Sequence, residues 1–188
     1  MTGQPTPMVT LIDTGLAGCN ELQFHVHRDP RGLFVKTYHE AAFRLHGLCT
    51  DWREEFVSTS ARGVIRGMHF QAPPEQHTKM VFCLAGRILD VALDLRAGSP
   101  TYGRCAAVEL SADRSNAMYL PEGFAHGFQA LEECSSMLYK VSSMHSPTHD
   151  RGLRWDSFGF DWPLASPVIS PRDAAFGGLS EFQTPFRS

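Results

Sequence analysis

The chain has 188 residues, 43% of them hydrophobic and 20% charged, enough apolar material for one sizeable core, so a single domain over 1–188 is expected. The net charge is -3, so no global basic field points to nucleic acid or to an anionic membrane surface, and any anion site has to be local. The apolar runs are far too short to span a bilayer, and residues 1–15 lack the charged start and long apolar core of a signal peptide. A cytoplasmic location is expected. The five cysteines (Cys19, Cys49, Cys83, Cys105 and Cys134) are odd in number, widely spaced and free of any CxxC pair. They read as small buried hydrophobes in a reducing compartment, not as a disulfide framework or a zinc knuckle.

Residues 1–28 read as an N-terminal arm whose first twenty residues form an ordered segment or an edge strand. A turn follows at HRDPRGLF, where Asp29-Pro30 and Gly32 are turn residues. Leu33 to Tyr38 alternates like a strand, and 39–52 has room for one short helix. From Val64 onward the chain is punctuated β. Met80–Leu84 and Arg87–Leu95 flank Ala85-Gly86, which reads as a hairpin turn. In the second of these runs Leu89, Val91, Leu93 and Leu95 alternate with Asp90 and Asp94, the pattern of a half-buried antiparallel strand. Further strands are expected at Cys105–Leu110, Ala117–Leu120, Gly127–Leu131 and Met137–Ser142. From Pro147 the chain reads as irregular, with RGLRWDSFGFDWP as an aromatic clasp and 177–188 as a loose tail. Many short strands with few, short helices predict an all-β chain, a β-sandwich or a jelly roll.

Three segments carry chemistry. RGVIRGMHFQAPPEQHTK (62–79) brings Arg66, His69 and Lys79 close in sequence, PEGFAHGF (121–128) adds His126, and SSMLYKVS places Tyr139 in a strand-like run. A base, a proton donor and several cations suit proton abstraction beside a carbonyl on an anionic substrate. If 64–71 is a strand, Arg66, Met68 and Phe70 share one face and His69 takes the other. A buried Tyr139 needs a partner for its hydroxyl. Gly127 behind His126 allows backbone or ligand to approach closely. Two other readings compete. Metal-binding cupin sheets carry His-x-His, a Glu and a later Pro-x-Gly-x-x-His. Here His69, Glu75 or His77, and His126 fit parts of that pattern, but Gln71 stands where the second histidine belongs and is a poor ligand for zinc or iron. The other is a sugar-binding cupin without turnover.

DPRGLF, RGVIRGMHFQ, Lys79, LDVALDLRAGSPTYG, PEGFAHGF, LYKVS and RGLRW, in this order from about Asp29 to Asp173, resemble the dTDP-4-dehydrorhamnose 3,5-epimerase family. The resemblance implies a cupin-type jelly roll, a homodimer that exchanges N-terminal strands, and epimerisation without metal or cofactor beside a 4-keto group of a nucleotide-linked sugar. It implies His69 as the general base with Asp173 as its partner, Lys79 at the enolate oxygen and Tyr139 as the acid on the opposite ring face. Arg66, His126 and Arg31 match positions near the sugar and its diphosphate.

Departures from the family pattern cluster where the nucleobase is held. Lys36 stands for a glutamate, Glu54, Glu55 and Phe56 for a Gln-x-Asn, His145 for a tyrosine that stacks on thymine, and Asp150 for a glutamate. A carboxylate suits bases that present amino donors, so Glu54 points to CDP or GDP as alternatives to dTDP. Drift of the loop with thymidine binding kept is the other reading. The site expected from the sequence is thus His69, Lys79, Tyr139 and Asp173 for catalysis, and Arg31, Arg66, His126, Glu54, Phe56, His145 and Asp150 for substrate, with no metal. One inverted centre and two remain equally compatible with the sequence.

Overall fold

The computed structural model describes residues 7–187; positions 1–6 of the expected arm and Ser188 lie outside the described residues. In chain order the elements are β1 (Val9–Leu16), β2 (Cys19–Phe24), β3 (Val26–Asp29), β4 (Gly32–Val35), α1 (Glu40–Leu45), β5 (Glu54–Ser60), β6 (Ile65–Gln71), β7 (Lys79–Ala85) and β8 (Arg87–Asp94). They continue with β9 (Cys105–Ser111), β10 (Asn116–Leu120), β11 (Phe124–Ala130), β12 (Ser135–Val141), β13 (Asp150–Gly152), α2 (Pro171–Ala174) and a 3₁₀ turn at Leu179–Glu181. Two antiparallel sheets, ordered β1-β2-β10-β7-β12-β5 and β13-β6-β11-β8-β9, face each other, and β3 and β4 pair only with one another. This is the β-sandwich that the many short strands predict, in the jelly-roll form that the family resemblance implies.

Alternation along the strands builds three apolar layers. Val81, Cys83, Met118, Met137 and Tyr139 of the first sheet meet Ile88, Ala92, Leu110, Phe124 and Phe128 of the second. On the outer side of the first sheet, Met80, Phe82 and Tyr119 are covered by Phe43 of α1 and by Leu48. On the outer side of the second, Met68, Phe70, Val91 and Leu93 are covered by Leu153, Phe182 and Phe186 from the C-terminal stretch.

That third layer changes two expectations. The stretch from 177, expected to be loose, is docked: Phe186 is 5% exposed and packs edge-on against Phe70, and Ala97 bridges to Arg187. Because it covers Val91 and Leu93, β8 is buried on both faces. Asp90 and Asp94, expected on an open face, are each 0% exposed inside the sandwich. The alternation was right and the solvent side was wrong.

Ala85-Gly86 is a turn, with Gly86 at φ +72, but β7 and β8 do not pair. The turn carries the chain from one sheet to the other, and Ser135 Oγ packs where a Cβ on Gly86 would sit, 2.7 Å away. The first strand is an edge strand as expected, and the helix within 39–52 is α1, whereas the strand expected over 33–38 ends at Val35. All five cysteines are free; Cys19 and Cys83 are buried, while Cys134 is exposed, contrary to the expectation for all five.

Candidate active site

A cavity of about 660 Å³ opens between the sheets, lined by β5 at the edge of the first and by β6, one strand in from the β13 edge of the second. Ten of the eleven expected site residues line it; Arg31 does not. Strand parity delivers most of them. Glu54, Phe56 and Ser58 on β5, Lys79 on β7 and Tyr139 on β12 come from the first sheet, while Arg66 and His69 on β6 and His126 on β11 come from the second.

Arg66 reaches the same cavity as His69 only because β6 bulges. His69 pairs with His126 and Arg66 with Phe128, so Gly67 and Met68 together face the single residue Gly127. The bulge reverses the side on which Arg66 lies relative to simple alternation, which corrects the reading that grouped Arg66 with Met68. It also accounts for the two glycines. Gly67 has φ +132, and a Cβ there would lie 2.5 Å from the Gly127 Cα, so it is backbone that approaches at Gly127. The Arg66 guanidinium is held at the rim by donating to Ser60 Oγ (3.0 Å) and to the Thr59 carbonyl (3.2 Å).

His69 Nε2 lies 2.8 Å from Asp173 Oδ1. A carboxylate only accepts, so Nε2 carries the proton and Nδ1 keeps a lone pair able to take another. Asp173 is placed by local sequence. Ser170 caps α2 by accepting from the Asp173 N–H (3.0 Å), and Pro171 sits in the first helical position. The preceding residues run beside the start of β6, where Val168 bridges to Val64. Asp173 Oδ2 accepts from the Gly67 N–H at 3.1 Å. Burial raises the Asp173 carboxyl, but hydrogen bonds from His69 and Gly67 outweigh it and hold the group below the usual range.

A second imidazole–carboxylate pair lies deeper. His126 Nε2 is 2.7 Å from Asp90 Oδ1, with His126 4% exposed, while Asp90 Oδ2 has no hydrogen-bond partner among the described residues. Burial pushes the His126 imidazolium down, against the opposing pull of Asp90. Burial also pushes the Lys79 ammonium down to about 8, with Asp90 and Asp150 acting against it. Tyr139 lies flat on Phe56 (4.6 Å between ring centroids, 13° between planes), its cross-strand neighbour on β5. Burial raises the Tyr139 phenol, with a hydrogen bond to Ser58 opposing. The expected partner for the tyrosine hydroxyl is therefore Ser58.

Toward the other end of the cavity, Glu54 Oε2 accepts from the His145 N–H at 2.8 Å, and Asp150 pairs with Arg172 at 2.7 Å. Gln71, which breaks the metal pattern, has its amide engaged: Nε2 donates to the Glu75 carbonyl at 2.7 Å and Oε1 accepts from the Ser146 N–H at 2.7 Å. Among the described residues no group of three histidine, cysteine, aspartate or glutamate side chains converges as a ligand set. Arg31 is at the tip of the β3–β4 hairpin, its side chain 90% exposed and paired with Asp29 at 2.5 Å.

The sequence model of the family described as dTDP-4-dehydrorhamnose 3,5-epimerase matches residues 13–181. The chain belongs to that family. A curated dTDP-4-dehydrorhamnose 3,5-epimerase of Methanothermobacter thermautotrophicus is 40% identical over 175 residues, which cover 90% of this chain and 94% of the relative. Among solved structures, a dTDP-6-deoxy-D-glucose-3,5-epimerase of Legionella pneumophila in complex with dTDP-4-keto-L-rhamnose superposes with a TM-score of 0.91 at 30% identity. The overlap covers 96% of this chain and 99% of the Legionella chain. A 3'-monoepimerase of Streptomyces bikiniensis in complex with dTDP-quinovose reaches 0.84 at 30% identity, covering 88% and 85%. This is a family of isomerases, and the jelly roll is its fold.

Within that epimerase frame, sequence reasoning missed Asp90, Ser58 and Arg172. The alternation of β8 alone puts Asp90 on the solvent side. The usable signal was a lone carboxylate in a strand, Ile88–Leu93, that is otherwise wholly apolar. His77, weighed only as a metal ligand, lines the cavity, and burial pushes its imidazolium down to about 3.

Proposed function

We propose that the cavity epimerises a dTDP-linked 4-keto-6-deoxy sugar at C3, C5 or both by removing and returning a proton beside the C4 ketone. The observation that carries this reading is the placement of two proton-transfer groups on opposite walls. His69 comes from β6 of the five-stranded sheet, with Asp173 brought against it by α2, and Tyr139 comes from the six-stranded sheet. The ketone acidifies the neighbouring C–H bonds. His69 Nδ1 takes the proton, and Asp173 stabilises the imidazolium that forms. Lys79, charged below about pH 8, stabilises the enolate oxygen where negative charge develops. Tyr139 gives a proton to the other ring face, which inverts the centre. Arg66 at the rim suits the diphosphate, because a guanidinium meets two phosphate oxygens at once. His126, held by Asp90, contacts the sugar.

The nucleotide assignment follows the relatives, which are named for dTDP-linked sugars. The CDP or GDP reading rested on Glu54 as a free acceptor. One of its carboxylate oxygens is instead taken by the His145 main chain, so Glu54 serves to shape the loop that carries His145. Phe56, Glu54, His145 and Asp150 frame the nucleoside end. Offering dTDP-, CDP- and GDP-linked 4-keto-6-deoxy sugars separately tests the assignment. Preferred turnover of the dTDP sugar is expected, and turnover confined to either of the others would overturn it.

The functional unit is a homodimer in this reading, within the cytoplasm. The support is the β3–β4 hairpin, whose Leu33 and Phe34 are 51% and 60% exposed beside Arg31. An apolar pair of that exposure suits burial against a second copy. Arg31 of one copy would then meet the diphosphate end of the other's cavity.

A further inference from the structure

Ser58 Oγ lies 3.0 Å from Tyr139 Oη, and both side chains line the cavity. One proton occupies that contact, and its owner decides what the tyrosine can do. A phenol that donates to Ser58 has turned its single proton away from the substrate. A phenol that accepts from Ser58 keeps its own proton free to give. Among the described residues the two hydroxyls have each other as their side-chain hydrogen-bond partner, so no other group claims the serine proton. The phenol ring is meanwhile fixed by its stack on Phe56 at 4.6 Å and by the edge contact with His126 at 6.2 Å. With the ring held, the direction of the O–H bond is the freedom that remains.

Resting on the reading of Tyr139 as the proton donor, we propose that Ser58 is a positioning residue: its hydroxyl donates to Tyr139 Oη, aims the phenol proton into the cavity and stays bonded to the tyrosinate after transfer. In that transfer the Oη–H bond breaks and a C–H bond forms at the substrate carbon. The O–H electron pair remains on Oη, and the proton taken earlier by His69 balances the charge. Solvent restores the phenol as His69 releases its proton. Burial disfavours the tyrosinate, so the serine hydrogen bond is needed most in the state that follows transfer.

The test separates proton removal from inversion. With the substrate in deuterated water, exchange at the carbon acids reports His69, and formation of the inverted sugar reports Tyr139. Ser58→Ala is expected to keep exchange within about twofold of the parent while inversion falls about ten- to a hundredfold, the range for losing a hydrogen bond to a charged group. Ser58→Thr, which keeps the hydroxyl, is expected to restore most of the inversion. Unchanged inversion in Ser58→Ala overturns the proposal. So does a parallel fall of exchange and inversion that threonine does not repair, because that marks a merely structural role. Tyr139→Phe run alongside distinguishes the two levels. Full inversion in that variant removes Tyr139 as the donor, and with it the role of Ser58, whereas inversion lost in Tyr139→Phe but kept in Ser58→Ala overturns Ser58 alone.

Discussion

A single ring nitrogen organises the chemistry. Asp173 fixes His69 through Nε2 at 2.8 Å and leaves Nδ1 for the proposed role of base. His69→Ala is expected to reduce deuterium exchange at C3 and C5 to background, measured by proton NMR. Asp173→Asn, which keeps the shape but not the charge, is expected to slow exchange by about 10²–10⁴-fold, the usual worth of a positioned general base. Lys79 gives a pH signature. Its ammonium is held near 8, below the ordinary lysine value, chiefly by burial. Activity that needs the charged form falls as pH rises through about 8. The stability effect has the opposite sign. Between about 8 and the unfolded lysine value of about 10.4 the unfolded chain binds the extra proton, so this group favours the folded state more as pH rises. A loss of kcat above pH 8 with no loss of thermal stability from this group, followed by activity assay and calorimetry, is the expected pattern. Loss of activity only where the protein unfolds would contradict it.

At the level of elements the segments that carry chemistry were legible, but the faces were not. Tyr139 sits in a mostly apolar run that marks it as buried, whereas Lys79 reads equally as a strand end and His126 falls in a turn-rich segment. Serine and proline of SPRD cap and begin α2, yet the stretch reads as irregular in the sequence, and Asp173 enters there through the family resemblance. What stayed hidden was long-range. The bulge at Gly67 depends on Gly127 in another strand, and the inward turn of Asp90 follows only once a C-terminal stretch that reads as loose is found covering the opposite, apolar face of β8. Ala85-Gly86 marks a turn but carries no information on whether the flanking strands pair or separate. The docked stretch gives a prediction of its own. Phe186→Ala is expected to cost about 3–5 kcal/mol in denaturant unfolding, the usual price for truncating a buried phenylalanine; an unchanged midpoint would mean that residues 177–187 do not seal the third layer. Asp94 adds an acid-side check. Burial raises its carboxyl, but hydrogen bonds from Arg96, Thr101 and Ser99 hold it down to about 2. Its stabilising contribution is therefore complete above about pH 4 and is lost as pH falls through about 2.

For the molecule as a whole, the two sheets behave as two reagent holders. In the proposed mechanism one brings His69, with Asp173 held against it by α2, the other brings Lys79 and Tyr139, and the gap of about 660 Å³ between them is the size of a small-ligand site. The β3–β4 hairpin pairs with neither sheet and exposes Leu33 and Phe34, and it is the element at which the proposed dimer would be joined. A dimer in sedimentation, weakened by Phe34→Glu, is the expected result, and a monomer at micromolar concentration would leave Arg31 without a role at the cavity. The most direct measurement is proton NMR in deuterated water with a dTDP-linked 4-keto-6-deoxy sugar and metal-stripped protein. Deuterium entering C3, C5 or both, with inverted sugar accumulating and both signals lost in His69→Ala, is the predicted outcome. No exchange at any enzyme concentration, or exchange undiminished in His69→Ala, would contradict proton transfer at this site.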